Sequence, residues 1–136
     1  MDYKEISDVL KKPMGTIATL INRAKKKFIE EAKKQVEEAM EKIAAGFTCL
    51  KLKIGAIDFE AELDILFSIR NRFSVNELEI RVDANRAFSP KTALKKLEHL
   101  MALNLHSIEQ PIKQGQFEVM QKLCIQTPLP IALDEE

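Results

Sequence analysis

The sequence predicts an α/β fold in which a helical N-terminal segment precedes a four-stranded parallel sheet. Two observations predict this class. Strand patterns and helix patterns alternate from residue 49 onward, and successive strand patterns are spaced by about one strand-helix unit. Strands that are joined by helices pair in parallel through right-handed crossovers. With 46% hydrophobic and 31% charged residues in 136 positions, the composition is typical of one globular unit.

The first 45 residues are predicted to be helical. Residues 3–28 have the outline of a helix-turn-helix, in which apolar residues recur at helical spacing on both sides of Pro13. Pro13 can start the second helix. Since neither Gly nor Pro occurs between Gly15 and Gly46, this helix is expected to continue as one long helix that Gly46 ends.

The remaining residues are predicted to form four strands and three helices. Each strand pattern alternates or is short and apolar, and each helix pattern repeats apolar residues at helical spacing. Ser89 is expected to cap the second of these helices, with Pro90 at its first position. The predicted strands are residues 49–55, 78–85, 105–111 and 129–136, and the predicted helices are residues 59–73, 89–103 and 117–123.

Three strand patterns end in a carboxylate. Asp83, Glu109 and Asp134 follow apolar runs at intervals of 26 and 25 residues, and Lys53 ends its own strand 30 residues before Asp83. In a parallel barrel of the TIM type all strand C-termini open on one face, so we expect these four residues to converge. Crowded hard carboxylates suit Mg²⁺, and a nearby lysine could take a proton from carbon. Each carboxylate taken singly could instead be a solvated loop residue or a helix cap.

Composition excludes several classes of protein. No apolar run approaches the roughly 20 residues that span a bilayer, and the charged first 30 residues are unlike a signal peptide. We expect a cytoplasmic protein with no membrane partner, in which Cys49 and Cys124 are reduced and buried. Residues 3–28 carry seven basic and two acidic side chains, whereas residues 46–136 carry eleven and thirteen. This asymmetry indicates two segments with different partners.

The motifs "GFTCLKLKIGAIDFEAELD", "IRVDANRAFSP", "SIEQPI" and "PLPIALDEE" resemble the enolase superfamily, most of all its o-succinylbenzoate synthases and then its dipeptide epimerases. The resemblance covers residues 28–136 and implies part of an eight-stranded TIM-type barrel. It implies that Asp83, Glu109 and Asp134 bind Mg²⁺, that Lys53 is the acid/base and that Lys51 assists electrostatically. The implied reaction is Mg²⁺-assisted syn-dehydration through an enediolate.

The segment "YKEISDVLKKPMGTIATLINRAKKKF" is similar to the helix-turn-helix of extracytoplasmic-function sigma factors, in their promoter-binding domain. This resemblance covers residues 3–28 and implies contacts with DNA. The side chains that it implies for base and phosphate contacts are Thr16, Thr19, Asn22, Arg23, Lys25 and Lys26. The alternative is that the segment is only a helical cap on the sheet.

The two resemblances together predict a chimera, engineered or recombined. Residues 1–28 are expected to be the sigma-factor-like segment and residues 29–136 a half-barrel, with residues 29–45 as its first barrel helix. Since the family's first strand and its later strands have no counterpart in the sequence, we expect a vestigial Mg²⁺ site with little or no catalysis. The alternatives are a Mg²⁺-dependent dehydratase or epimerase and a DNA-binding module.

The half-barrel interpretation also predicts how the sheet meets its surroundings. We expect an apolar inner face that the N-terminal helices cover, and two unpaired sheet edges. Such edges predict self-association, with two copies pairing to give eight strands.

Overall fold

The computed structural model describes residue 8 and residues 13–134, apart from the side chains of Ile17 and Phe28. The first helix of the predicted helix-turn-helix, at residues 3–12, lies outside these residues except for Asp8. Within them the chain alternates helices and strands. The elements are α1 Met14–Ala44, β1 Cys49–Lys53, α2 Phe59–Arg72, β2 Glu79–Asp83, α3 Ala93–Met101, β3 Ser107–Glu109, α4 Phe117–Gln126 and β4 Ile131–Ala132.

The long helix α1 begins directly after Pro13 and runs for 31 residues. Its end is built as the sequence predicts. Gly46 lies just beyond the helix with φ at 94°, and its N–H donates to the carbonyl of Ile43 over 2.9 Å. Glycine adopts this left-handed conformation without steric cost. The predicted boundary between residues 28 and 29 falls inside α1, so the helix is continuous across it.

The four strands form one parallel sheet in the order β1-β2-β3-β4. Each strand therefore lies beside the next strand in the sequence, as the alternating pattern predicts. The register aligns Lys53 with Asp83, and Asp83 with Glu109. The predicted α/β class and the four-stranded parallel sheet are confirmed.

The observed strands are shorter than the predicted ones, because turns begin at the strand ends. After β3, Gln110 adopts a φ of 40°, and its carbonyl accepts from the Arg86 N–H while its own N–H still bonds to the Ala132 carbonyl, so the chain turns at this residue. β4 comprises two residues instead of the predicted 129–136. The prediction of Ser89 as helix cap is wrong: the cap of α3 is Thr92, and the Ser89 carbonyl accepts bonds from the Thr92 and Ala93 N–H groups in a turn before the helix.

Alternate strand residues build the core between the sheet and the helices. Leu50, Ile80, Val82 and Ile108 are buried on one face of the sheet. The helices contribute further buried side chains to the same cluster, namely Leu66, Ile69, Leu97, Leu100 and Leu123. Full burial stabilises each such side chain by about 1.5–3 kcal/mol relative to water. This packing fixes the opposite strand residues on the other face.

That other face of the sheet is polar, and the expectation of an apolar inner face is wrong. It presents Lys51, Lys53, Arg81 and Glu109, which are exposed or half-buried. The period of two in each strand is the reason, because every residue next to a buried apolar one points to the opposite side. We name this surface the charged face.

The N-terminal half of α1 does not cover the charged face in the way the sequence led us to expect. In the described part of residues 13–28 almost all side chains are exposed, including Met14 at 50% and Leu20 at 42%. α1 packs on the sheet and on α2 only through its second half, where Ala39 is buried and Val36, Met40 and Ile43 adjoin the core.

Two smaller expectations concern thiols and membranes. Cys49 and Cys124 are both free, as expected, but both are exposed and not buried. Cys49 lies on the charged face and Cys124 on an outer position of α4. Among the described helices, none combines the length and the apolar character that crossing a membrane requires.

Candidate metal and acid/base site

Three predicted site residues lie in one row at the C-terminal ends of adjacent strands. Lys53 ends β1, Asp83 ends β2 and Glu109 ends β3, and the parallel register pairs each with the next. Neighbouring strands in a sheet are about 4.8 Å apart, so the three backbones are close neighbours. The structure thus brings together the lysine and two of the carboxylates.

Lys51 lies between the two carboxylates of this row. Its Nζ is 2.5 Å from Oε2 of Glu109 and 3.6 Å from Oδ2 of Asp83. The hydrogen bond to Glu109 is the main reason that the pKa of Lys51 is raised above its ordinary value. Its side chain is 47% exposed, so water screens the pair and its contribution to stability is small. One ammonium group therefore contacts both carboxylates and offsets one of their two negative charges.

The Asp83 carboxylate is held by the turn that follows it. Its Oδ1 accepts a hydrogen bond from the N–H of Asn85 over 2.9 Å. Asn85 and Arg86 have φ angles of 44° and 69°, which make this turn tight. Asparagine tolerates this left-handed region better than most residues. The turn therefore fixes one oxygen of Asp83 and leaves the other toward Lys51.

Asp134 does not join the row, so the predicted grouping of three carboxylates is not formed. β4 ends two residues earlier, and Asp134 is exposed. Its backbone N–H donates to Oε1 of Gln110 over 3.0 Å. Within residue 8 and residues 13–134, no three His, Cys, Asp or Glu side chains are arranged to hold a metal ion.

Gln110 is a positioning residue that the sequence analysis missed. Its side chain is buried, accepts the Asp134 N–H and donates from Nε2 to the Ile112 carbonyl over 3.0 Å. It therefore links the end of β3 to the residue after β4. The signal was present in the sequence, since Gln110 is a polar residue between a strand-ending carboxylate and Pro111.

The donors that are present fit Mg²⁺ in part. Asp83 and Glu109 supply hard carboxylate oxygens, and Mg²⁺ binds through one or two carboxylates while it keeps several waters. Lys51 already provides a positive charge at this position, so a metal would compete with its ammonium group. A site of two carboxylates is consistent with the geometry, whereas the third ligand is not positioned.

The six side chains proposed for DNA contacts lie along one stretch of α1 and are exposed. The Thr19 hydroxyl donates to the Gly15 carbonyl over 3.0 Å, which is a bond within the helix. Their accessibility is consistent with a partner, but nothing in the fold selects DNA. Their role stays a prediction.

Comparison with known proteins defines the family. The model of the family described as "Enolase C-terminal domain-like" matches residues 33–136. The chain belongs to this enolase family. The match includes all four strands and the row formed by Lys53, Asp83 and Glu109.

Two curated relatives show where the chain stands within the enolase family. It is 56% identical over 106 residues to o-succinylbenzoate synthase of Desulfotalea psychrophila, which is 78% of this chain and 29% of that protein. It is 32% identical over 107 residues to a hydrophobic dipeptide epimerase of Enterococcus faecalis, which is 79% of this chain and 30% of that protein. The chain thus spans less than a third of the length of these relatives.

Solved structures show the same likeness. The crystal structure of MenC from Desulfotalea psychrophila has a TM-score of 0.69 and 51% identity, over 76% of this chain and 28% of that one. An o-succinylbenzoate synthase from Thermosynechococcus elongatus, solved with Mg in its active site, has a TM-score of 0.65 and 26% identity. It covers 72% of this chain and 31% of that one. The four strands therefore match a fragment of an enolase-type barrel.

The segment at residues 3–28 lies before the part that the enolase family model matches. Neither its similarity to a sigma-factor helix-turn-helix nor the chimeric origin of the chain is tested by these comparisons. Both stay predictions.

Proposed function

We propose that the charged face is the Mg²⁺-binding and proton-transferring part of an o-succinylbenzoate synthase-type site, which dehydrates its substrate. The observation that carries the proposal is the row of Lys53, Asp83 and Glu109 across three adjacent parallel strands. The 56% identity to an o-succinylbenzoate synthase favours dehydration over other enolase-family reactions.

In this proposal each residue of the row has one role. Asp83 and Glu109 would hold Mg²⁺, and Asp134 would become a third ligand only if its carboxylate moved to join them. Bound Mg²⁺ would supply Lewis-acid stabilisation of negative charge on the substrate. Lys53 takes the proton from carbon and can give it to the departing hydroxyl group, which leaves as water, since the position of Lys53 at the strand end opens toward the charged face. Lys51 supplies a second positive charge to the same place.

We further propose that this chain has a vestigial site with little or no turnover. The support is geometric: the Lys51 ammonium group lies between Asp83 and Glu109, and Asp134 forms no metal-binding group with them in the described part of the chain. A metal must displace Lys51 from two carboxylates with only two protein ligands in place. This competition weakens binding and leaves the metal loosely oriented.

A metal titration tests the binding part. The midpoint of thermal unfolding is measured as Mg²⁺ is added to the full chain, because a ligand that binds only the folded state stabilises it. We expect a small Mg²⁺-dependent rise that Asp83→Asn abolishes. Asp64→Asn, which removes an exposed carboxylate on α2, is the matched control and should keep the rise. An undiminished rise in Asp83→Asn would contradict the assignment.

A steady-state assay tests the chemical part. Dehydration of the o-succinylbenzoate synthase substrate is expected to be far below the roughly 1–1,000 s⁻¹ of ordinary enzymes, and Lys53→Ala should remove what remains. Turnover in the ordinary range would refute the vestigial site. Turnover that survives Lys53→Ala would refute its acid/base role.

Epimerisation is the second candidate, because a dipeptide epimerase is 32% identical to this chain. The same row of residues could move a proton at the α-carbon of a dipeptide. Incubation of dipeptides in deuterated water distinguishes the two reactions. Deuterium at the α-carbon without loss of water favours epimerisation, and the absence of exchange excludes it.

A further inference from the structure

Glu62 is a buried carboxylate outside the row described above. It lies in the first turn of α2 and is 4% exposed. Its Oε1 accepts hydrogen bonds from three successive N–H groups, those of Gly55 at 2.6 Å, Ala56 at 3.2 Å and Ile57 at 3.4 Å. One carboxylate oxygen thus holds the entire start of the loop between β1 and α2.

This loop joins β1, which carries Lys53, to α2, and it lies beside the end of β2, which carries Asp83. It begins directly after Lys53, and the N–H of Ile54 donates to the Asp83 carbonyl over 2.8 Å. At Gly55 a Cβ atom would lie 2.3 Å from Cβ of Ala87, so the loop packs directly against the turn after β2. The position of the loop therefore determines where β1 ends.

The other oxygen of Glu62 has no hydrogen-bond partner among the described residues. A buried acceptor without a partner costs about 1–3 kcal/mol, which a bound water can offset. Glu62 lines a cavity of about 10 Å³ together with Gln35, Lys53 and four apolar side chains. That volume is roughly the space of one water molecule.

The surroundings of Glu62 act on its charge in opposite directions. Burial raises the pKa of Glu62 above its ordinary value, and this effect is the largest. The three N–H groups of the loop and the charge of Lys96 oppose it by favouring the carboxylate. The loop is therefore the principal source of stabilisation for the ionised side chain.

We propose that Glu62 is a positioning residue for Lys53. Glu62 holds the β1–α2 loop through Oε1 and one buried water through Oε2. The inference rests on the proposed function only for what Lys53 does. That Glu62 fixes the loop follows from its three hydrogen bonds, the packing of Gly55 and the adjacent cavity.

The test uses Glu62→Gln, which keeps an acceptor oxygen, Glu62→Ala, which removes it, and Glu60→Ala as an exposed control from the same turn. Amide exchange is measured at Gly55, Ala56 and Ile57. The rate at which an amine-reactive reagent labels Lys53 is measured against the exposed Lys91. Neither readout requires Mg²⁺ or turnover, so failure of the proposed function is seen separately in the metal titration.

We expect Glu62→Ala to accelerate exchange at the three amides on the order of tenfold or more and to change the labelling of Lys53 but not of Lys91. Glu62→Gln should show amide exchange and Lys53 labelling close to those of the wild type, and Glu60→Ala should change neither of these two rates. If Glu62→Ala does not fold, the wild-type chain and Glu62→Gln are compared instead. The amide chemical shifts of Gly55, Ala56 and Ile57 should then change together with pH in the wild type and stay constant in Glu62→Gln. The proposal would be overturned if the labelling rate of Lys53 were unchanged in both Glu62 variants. It would also be overturned if amide exchange at Gly55, Ala56 and Ile57 did not respond to the Glu62 substitutions.

Discussion

Gly55 lies where two loops at the strand ends meet. Its φ is 94°, and an added Cβ would lie 2.3 Å from Ala87 Cβ and 3.0 Å from the Ala84 carbonyl oxygen. We expect Gly55→Ala to lower the free energy of unfolding by roughly 2–4 kcal/mol, from backbone strain and overpacking together. Gly46→Ala is the control, because Gly46 has the same φ and no atom within 4 Å. Chemical denaturation measures both, and equal losses would show that the contact with Ala87 is unimportant.

The raised pKa of Glu62 makes a prediction about pH. A carboxyl group whose pKa is higher in the folded than in the unfolded chain favours folding at low pH, and this contribution is lost as pH rises through the folded pKa. The stability of the wild type relative to Glu62→Gln should therefore fall as pH rises above the ordinary glutamate pKa of about 4.3. Urea denaturation at several pH values measures it. The prediction would be contradicted if the stability difference between the wild type and Glu62→Gln did not change with pH. It would also be contradicted if Glu60→Gln gave the same pH dependence.

Among the elements, α2 is joined to its neighbours through Arg70. The guanidinium group donates to the carbonyls of Leu103 at 3.0 Å, Leu78 at 2.8 Å, Phe73 at 3.3 Å and Asn104 at 3.3 Å. These carbonyls belong to the end of α2, the approach to β2 and the loop between α3 and β3. One side chain thus holds three connections at the N-terminal side of the sheet.

We expect Arg70→Ala to destabilise the fold by about 2–3 kcal/mol, because it leaves several carbonyls without a donor. Arg70→Lys should lose less, since its ammonium group can reach one or two of them. Arg72→Ala, at an exposed position of the same helix, is the control. Thermal unfolding measures all three. If Arg70→Ala and Arg72→Ala destabilised the fold equally, the hydrogen bonds to the four carbonyls would not contribute to stability.

The order and direction of the elements could be predicted from the sequence, whereas their ends could not. Alternation in residues 49–55 and the strand-helix spacing were enough to place Lys53, Asp83 and Glu109 in one row. The length of β3 depends on the left-handed φ of Gln110, and glutamine gives no local sign of that conformation. The position of Asp134 depends on a hydrogen bond to Gln110 over 24 residues of sequence, which periodicity does not show.

At the scale of the whole molecule, the two outer strands β1 and β4 each pair on one side only within the described residues. We propose that the chain self-associates through these edges. On either side of β1 the Thr48 carbonyl and the Ile54 N–H bond to β2, so the N–H groups of Cys49, Lys51 and Lys53 point away from β2. A strand of a second copy could pair with them.

Sedimentation velocity across a wide concentration range tests self-association. Cys49→Pro removes one outward N–H without removing a bond to β2, and proline is tolerated at the first residue of an edge strand. We expect weaker association for Cys49→Pro and unchanged association for Cys49→Ala, which keeps the N–H group. A wild-type chain that stays monomeric at every concentration would refute the proposal.

The two-residue period of β1 has a consequence for changes in chain length. Inserting a single residue between Leu50 and Lys51, with Leu50 kept in the core, would turn both ammonium groups of this strand toward the helices and expose Leu52 in their place. A substitution at Lys51 or Lys53 alters one group, while such an insertion inverts every following residue of the strand. We therefore expect variants of this chain to tolerate added or deleted residues between the helices and the following strands, and to exclude them from β1.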